Sequence, residues 1–159
     1  MEERTRAYSW HDPIAVLKLA SELAPLEVMR RIAAGELPQP PIAHTLGIVL
    51  VEVEPGRAVF ECEPAEFHYN PIGTVHAGLA ATLLDSAMGC ALATTLDRGV
   101  GWTTLELKAN FVRPLAAGMG VVRCVGTVVH AGRRVATTEA RVEADGRLFA
   151  HGTSTILLL

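Results

Sequence analysis

Apolar residues recur along this chain in two rhythms, one near 3.6 and one of 2, and the switches between them mark its elements. The segment DPIAVLKLASELAP reads as a helix with Asp12 as N-cap, Pro13 at the first helical position, and Ile14, Leu17 and Leu23 partly in register. Pro25 ends or restarts it. LEVMRRIAAGEL then sets Leu26, Met29, Ile32 and Ala33 at helical spacing before Gly35, and Pro38, Pro40 and Pro41 forbid continued helix. Residues 1–40 are therefore expected to form an N-terminal helical extension ahead of a main domain spanning 41–159.

Beyond the prolines, LGIVLVEVE and RAVFECE read as strands around a Pro55–Gly56 turn, which predicts a hairpin. After a loop from Pro64 to Gly73, the apolar run from Val75 to about Leu96 is too long for a strand and free of proline. It predicts a long helix with Thr74 as N-cap. Four strands follow: WTTLELKANFV, GVVRCVGTVVHA, RRVATTEARVEA and RLFAHGTSTILLL. Turn signals at Pro114–Gly118, Ala131–Gly132 and Asp145–Gly146 divide them, in an order that suggests an antiparallel meander. The result is an α+β domain with a single element long enough to cover the sheet's apolar face, so the sheet must curve around that helix.

At helical spacing Gly78, Thr82, Asp85, Gly89 and Leu92 share one stripe, while Ala80, Leu83, Leu84, Ala87, Met88 and Ala91 fill the broad opposite side. Asp85 is the anomaly, because a charge buried in a packing helix is costly unless it is paired or exploited. Its small neighbours suggest a narrow cleft. His76 precedes it by an odd half-turn, so the two cannot form a dyad on one face, and the histidine is read as bonding the backbone of the preceding loop. Ala77 and Gly78 have free first-turn N–H groups, which together with the macrodipole can stabilise an oxyanion.

Composition narrows the function classes. The chain has 159 residues, 50% apolar and 19% charged, with a net charge of −3, which fits one soluble domain and no nucleic-acid partner. Cys62, Cys90 and Cys124 lie in apolar contexts without a CxxC pair, as reduced core residues of a cytoplasmic protein. The charged N-terminus does not read as a signal peptide, and no apolar run is long enough for a membrane span. His68, His76, His130 and His151 lack metal-ligand spacing, and no glycine-rich phosphate loop is present, so neither a metal nor a cofactor is expected.

The run Asn70-Pro-Ile-Gly73-Thr-Val-His76-Ala-Gly78, with Asp85 following, resembles the signature of PaaI-like hotdog-fold acyl-CoA thioesterases. The resemblance extends over about Pro41 to Leu159, through NFVRP, GRRVATTEARV and GTSTILLL. One departure is Ala77, where the family usually has the first of two glycines. The resemblance implies a hotdog fold and an acyl-CoA substrate carrying an aromatic or medium-chain acyl group. It implies Asp85 as general base or nucleophile, the Ala77 N–H aided by Gly78 as oxyanion donor, and Asn70 as the group that positions water or the leaving group. A hydroxyl on the strand after the helix completes the family's set, matched by Thr103 with Thr104 beside it. His76 flanks the substrate, and Arg113, Arg133 and Arg134 are candidates for binding coenzyme A. The family also implies homodimers, commonly paired into homotetramers, with active sites at the interface.

Two rival readings share the fold. A hydratase or dehydratase acting on acyl thioesters would need a histidine placed with the acid, which the half-turn between His76 and Asp85 disfavours within one chain. A non-catalytic acyl-CoA sensor would carry an output module, and the charge-balanced N-terminal arm supplies no obvious one.

Overall fold

The computed structural model describes residues 2–159. Two helices, α1 (Pro13–Ala20) and α2 (Pro25–Ala33), open the chain. Each begins on a proline, whose missing N–H is no loss at a helix start, and the Asp12 side chain accepts from the Ile14 N–H at 2.9 Å as expected of an N-cap. The helix does not continue through the prolines, and Pro41 starts a separate short one that periodicity did not signal, α3 (Pro41–Leu46). Gly47, at φ 67°, ends it in the left-handed conformation.

Strands β1 (Ile48–Glu54) and β2 (Arg57–Cys62) form the expected hairpin. The central helix α4 runs from Ala77 to Ala93, shorter at both ends than periodicity suggests. At its start Val75 is still extended, bridged to Tyr69 and with its N–H donating to Leu115 O, so His76 rather than Thr74 is the N-cap. At its end the Thr94 and Thr95 hydroxyls donate back to Ala91 O and Leu92 O, and Thr94 also accepts from the Gly56 N–H. Strands β3 (Trp102–Phe111), β4 (Val122–Ala131), β5 (Val135–Ala144) and β6 (Arg147–Leu158) complete the chain.

All six strands form one antiparallel sheet in the order β1-β2-β4-β5-β6-β3, wrapped around α4 in the hotdog arrangement. The expected four-strand meander is only partly right. β4, β5 and β6 are consecutive, but β3 pairs with β6 and β4 with β2. The reason is mechanical: α4 carries the chain across the concave face, so β3 lands on the far edge and β4 returns to the middle.

Leu83, Leu84, Ala87, Met88 and Ala91, at 0% exposure, are the face of α4 that fills the concavity. Contact is closest where β4 has Gly126, since any Cβ there would overlap the Ala87 carbonyl. Gly152 on β6 is similarly confined, its Cβ position lying 2.6 Å from Lys108 O. Leu92, placed on the polar stripe by periodicity, is fully buried because Ile156, Ala136 and Trp102 close over that end of the helix. Gly126→Ala should therefore force α4 off the sheet and destabilise the fold by about 3 kcal/mol or more, measured by urea denaturation. A loss below about 1 kcal/mol would show that the helix can shift freely.

Candidate active site

Asp85 sits midway along α4 on the side that meets the β3 edge of the sheet, half-buried rather than sealed. The Thr104 hydroxyl donates to Asp85 Oδ1 at 2.9 Å, holding the carboxylate and leaving Oδ2 free for another partner. Period-2 alternation explains why Thr104 does this: it shares the inward face of β3 with Trp102, whereas Thr103 is exposed on the other face. Trp102 was not among the expected residues. Its indole lies over Gly89, one turn after Asp85, where a Cβ would meet the ring at 2.7 Å. The signal was available, since an α4 glycine on the Asp85 stripe has no helix-forming merit of its own.

The second group of residues gathers at the start of α4. Asn70 closes its loop, its Oδ1 accepting from the Ile72 and Thr74 N–H groups at 3.1 Å and its Nδ2 donating to Thr74 Oγ1 at 2.9 Å. His76 Nδ1 accepts from the Gly78 N–H at 2.9 Å, so the ring bonds forward into the helix while its own backbone N–H donates to His68 O. Gly78 is thereby engaged, and its lack of a side chain is what admits the ring, because a Cβ would lie 2.8 Å from Nδ1. The Ala77 N–H, exposed at the helix start, donates to no protein acceptor among the described residues. It opens on a groove of about 240 Å³ lined by Asn70, His76, Phe111, Arg113, Leu115 and Phe149.

His68 braces this corner from below. Its Nε2 donates to Leu46 O at 2.7 Å and its Nδ1 accepts from the Ala65 N–H at 3.0 Å, and burial lowers its pKa despite the Leu46 bond.

The two groups are separated in one chain. Asp85 follows Ala77 by eight residues of helix, a rise of about 12 Å, too far for one thioester carbonyl to reach both. The arginines are divided as well. Arg113 donates to Leu148 O at 2.6 Å at one end of β5, and Arg133 and Arg134 precede Val135 at the other end, ten residues or about 30 Å away. Of the cysteines, burial pushes Cys62 up to about 11, Cys90 up to about 12 and Cys124 higher, so none is a ready nucleophile at neutral pH. Among the described residues no cluster of three or more His, Cys, Asp or Glu is placed to hold a metal ion, and no helix is long and apolar enough to cross a membrane.

Residues 72–150 match the thioesterase superfamily. Human acyl-coenzyme A thioesterase 13 is 34% identical over 110 residues, which span 68% of this chain and 77% of that protein. The chain belongs to the thioesterase superfamily. Thioester hydrolysis is the enzyme class that goes with it. The 1,4-dihydroxy-2-naphthoyl-CoA hydrolase of Listeria monocytogenes is 28% identical over 101 residues, 64% of this chain and 80% of that one. Among solved structures, a mutant of the phenylacetic acid degradation protein PaaI from Thermus thermophilus superposes with a TM-score of 0.69 at 33% identity. That match covers 76% of this chain and all of the other.

Two outcomes follow from the corner around the α4 start. His76→Ala, which removes the cap on Gly78, should cost about 1 kcal/mol in urea denaturation. A lowered His68 pKa means that the unfolded chain takes up the extra proton first, so stability is complete above about pH 6.5 and declines as pH falls below it. His68→Gln should flatten that decline, and an unchanged slope would show that another group causes it.

Proposed function

We propose that this protein hydrolyses acyl-CoA thioesters, with Asp85 as the base that takes a proton from water, or as the nucleophile that attacks the carbonyl. The observation that carries this reading is the Asp85 carboxylate fixed through one oxygen by Thr104, 2.9 Å away, with the other oxygen free. Thr104, rather than the exposed Thr103, is the hydroxyl of this arrangement. The Ala77 N–H acts as oxyanion donor, reinforced by the positive end of α4. Hydrolysis then adds water across the C–S bond: hydroxide goes to the acyl carbon, and the proton leaves with the coenzyme A thiolate.

The 12 Å between Ala77 and Asp85 is resolved by a homodimer. β3 is an edge strand with Leu105 and Phe111 more than half exposed, at 57% and 51%. A two-fold axis through its middle pairs β3 antiparallel with a second copy and lays the Trp102–Thr104 end of one against the Phe111 end of the other. Since Phe111 lines the Ala77 groove and Thr104 holds Asp85, each site then takes its acid from one chain and its oxyanion donor and Asn70 from the other. The same rotation brings Arg113 of one copy toward Arg133 and Arg134 of the other, as a basic rim for the coenzyme A phosphates. Assembly into homotetramers, an aromatic or medium-chain acyl group and a cytoplasmic location belong to the same proposal.

Thiol release from a panel of acyl-CoAs tests it. Asp85→Asn should lower kcat by roughly 10²–10⁴-fold with KM little changed, and Thr104→Val should lower it less than Asp85→Asn does. Hydrolysis undiminished in Asp85→Asn, or none in the wild type, refutes the proposal.

A further inference from the structure

The N-terminal helices do more than extend the chain. Between α1, α2, β1 and the outward side of α4 lies a second cavity, of about 230 Å³, walled by Val16, Leu17, Val28, Met29, Ile32 and Cys90 among others. Gln39 is a polar residue of that wall, and its amide is already consumed: Oε1 accepts from the Leu50 N–H, and Nε2 donates to Leu50 O at 3.2 Å and to Ile32 O at 3.5 Å. No Lys, Arg, Asp or Glu lines it. Cys90 contributes a thiol that burial and the nearby Asp85 charge keep neutral, with a pKa of about 12. The cavity therefore offers dispersion and desolvation and no free hydrogen-bonding or charged side chain beyond His11.

Its position on α4 ties it to the candidate site. Cys90 follows Asp85 by five residues, a rise of about 7.5 Å; Gly89 between them is covered by the Trp102 indole, and the small Ser86 is the half-buried residue on the arc that links the two. At about 230 Å³ the cavity is below the usual range of roughly 300–1,000 Å³ for a whole small-molecule ligand, which suits the end of a ligand anchored elsewhere. The cover is light, for Ala20 is the only buried residue of α1, and Ile14 and Leu17 remain 58% and 65% exposed.

We propose that this cavity seats the distal part of an unbranched aliphatic acyl chain, so that the N-terminal extension sets the chain length of the substrate. The inference rests on the acyl-CoA thioesterase reading. A thioester carbonyl at Asp85 leaves the cavity out of reach of an acetyl group and within reach of a medium or longer chain, and each methylene buried there favours binding by roughly fourfold.

The experiment measures kcat/KM for acyl-CoAs from butyryl to dodecanoyl, and for phenylacetyl-CoA, in the wild type and in two cavity-filling variants. Met29→Trp fills the cavity from α2 and Val16→Trp from α1, and the second keeps the test alive if the first does not fold by circular dichroism. In the wild type kcat/KM should rise with chain length, and in each folded variant the decanoyl-to-butyryl ratio should fall at least tenfold. A flat wild-type profile, a preference for phenylacetyl-CoA over decanoyl-CoA, or an unchanged ratio in the folded variants overturns the proposal. Binding of the thioether S-decyl-CoA, by calorimetry, separates the two readings. If no acyl-CoA is hydrolysed, the thioesterase reading fails. The cavity assignment still stands if S-decyl-CoA binds the wild type at least tenfold tighter than the variants, and falls if it binds them alike.

Discussion

The architecture depends on how closely α4 can lie on the sheet. At Gly126 the backbone of β4 meets the backbone of the helix at Ala87 with no side chain between, and Gly152 makes a second place where a Cβ cannot fit. Small residues at these contacts let Leu83, Leu84 and Met88 sink fully into the concavity. A helix sunk to that depth keeps one arc off the crowded centre of the sheet, beside its β3 edge, and Asp85 is on it. The carboxylate is thus placed by what happens on the opposite side of the helix: the sheet fixes the depth, and the depth decides which residues remain available for chemistry.

That placement also explains why one chain has a divided site. The acid and the first-turn N–H belong to the same rigid rod, so no side-chain movement can bring them together across about 12 Å. In the proposed homodimer Asp85 of one copy meets Ala77 of another, and β3 is suited to that pairing because it is an edge strand whose two ends reach the two half-sites. Placing the half-sites on elements of fixed secondary structure, rather than on loops, favours the precise geometry that thioester hydrolysis requires.

Periodicity alone revealed the six strands, the central helix and the extension, because long amphipathic segments carry enough positions to separate a rhythm of 2 from one of 3.6. It missed where β3 pairs, since strand order depends on the path of α4 across the sheet and not on any pattern within β3. It misplaced the helix start, because the decisive bonds, Val75 N–H to Leu115 O and His68 O to the His76 N–H, join residues far apart or in an irregular loop. The assignment of Asp85 to the small-residue stripe needed only the helix angle. Position in the family pattern put Thr103 first; alternation from an inward tryptophan at 102 carries residue 104, and not 103, to the side that meets Asp85. Leu92 was misassigned for a different reason, as Ile156 and Trp102 come from distant strands to bury it.

The role proposed for the extension rests on the change in polarity along the helix it packs against. A carboxylate on α4 tolerates a half-exposed setting because Thr104 supplies one donor and solvent supplies the rest. Five residues further along, the thiol of Cys90, which asks for no strong hydrogen bond, adjoins the cavity that α2 helps to wall. Polarity therefore falls steeply along a short length of one helix, from a carboxylate to an apolar wall. A thioester with an alkyl tail has the same gradient, with a reactive polar carbonyl at one end and hydrocarbon at the other. In the proposed mode, matching the two gradients orients the substrate before any specific contact to the acyl chain is made, with the reactive carboxylate at one end and side chains that take no part in the reaction at the other.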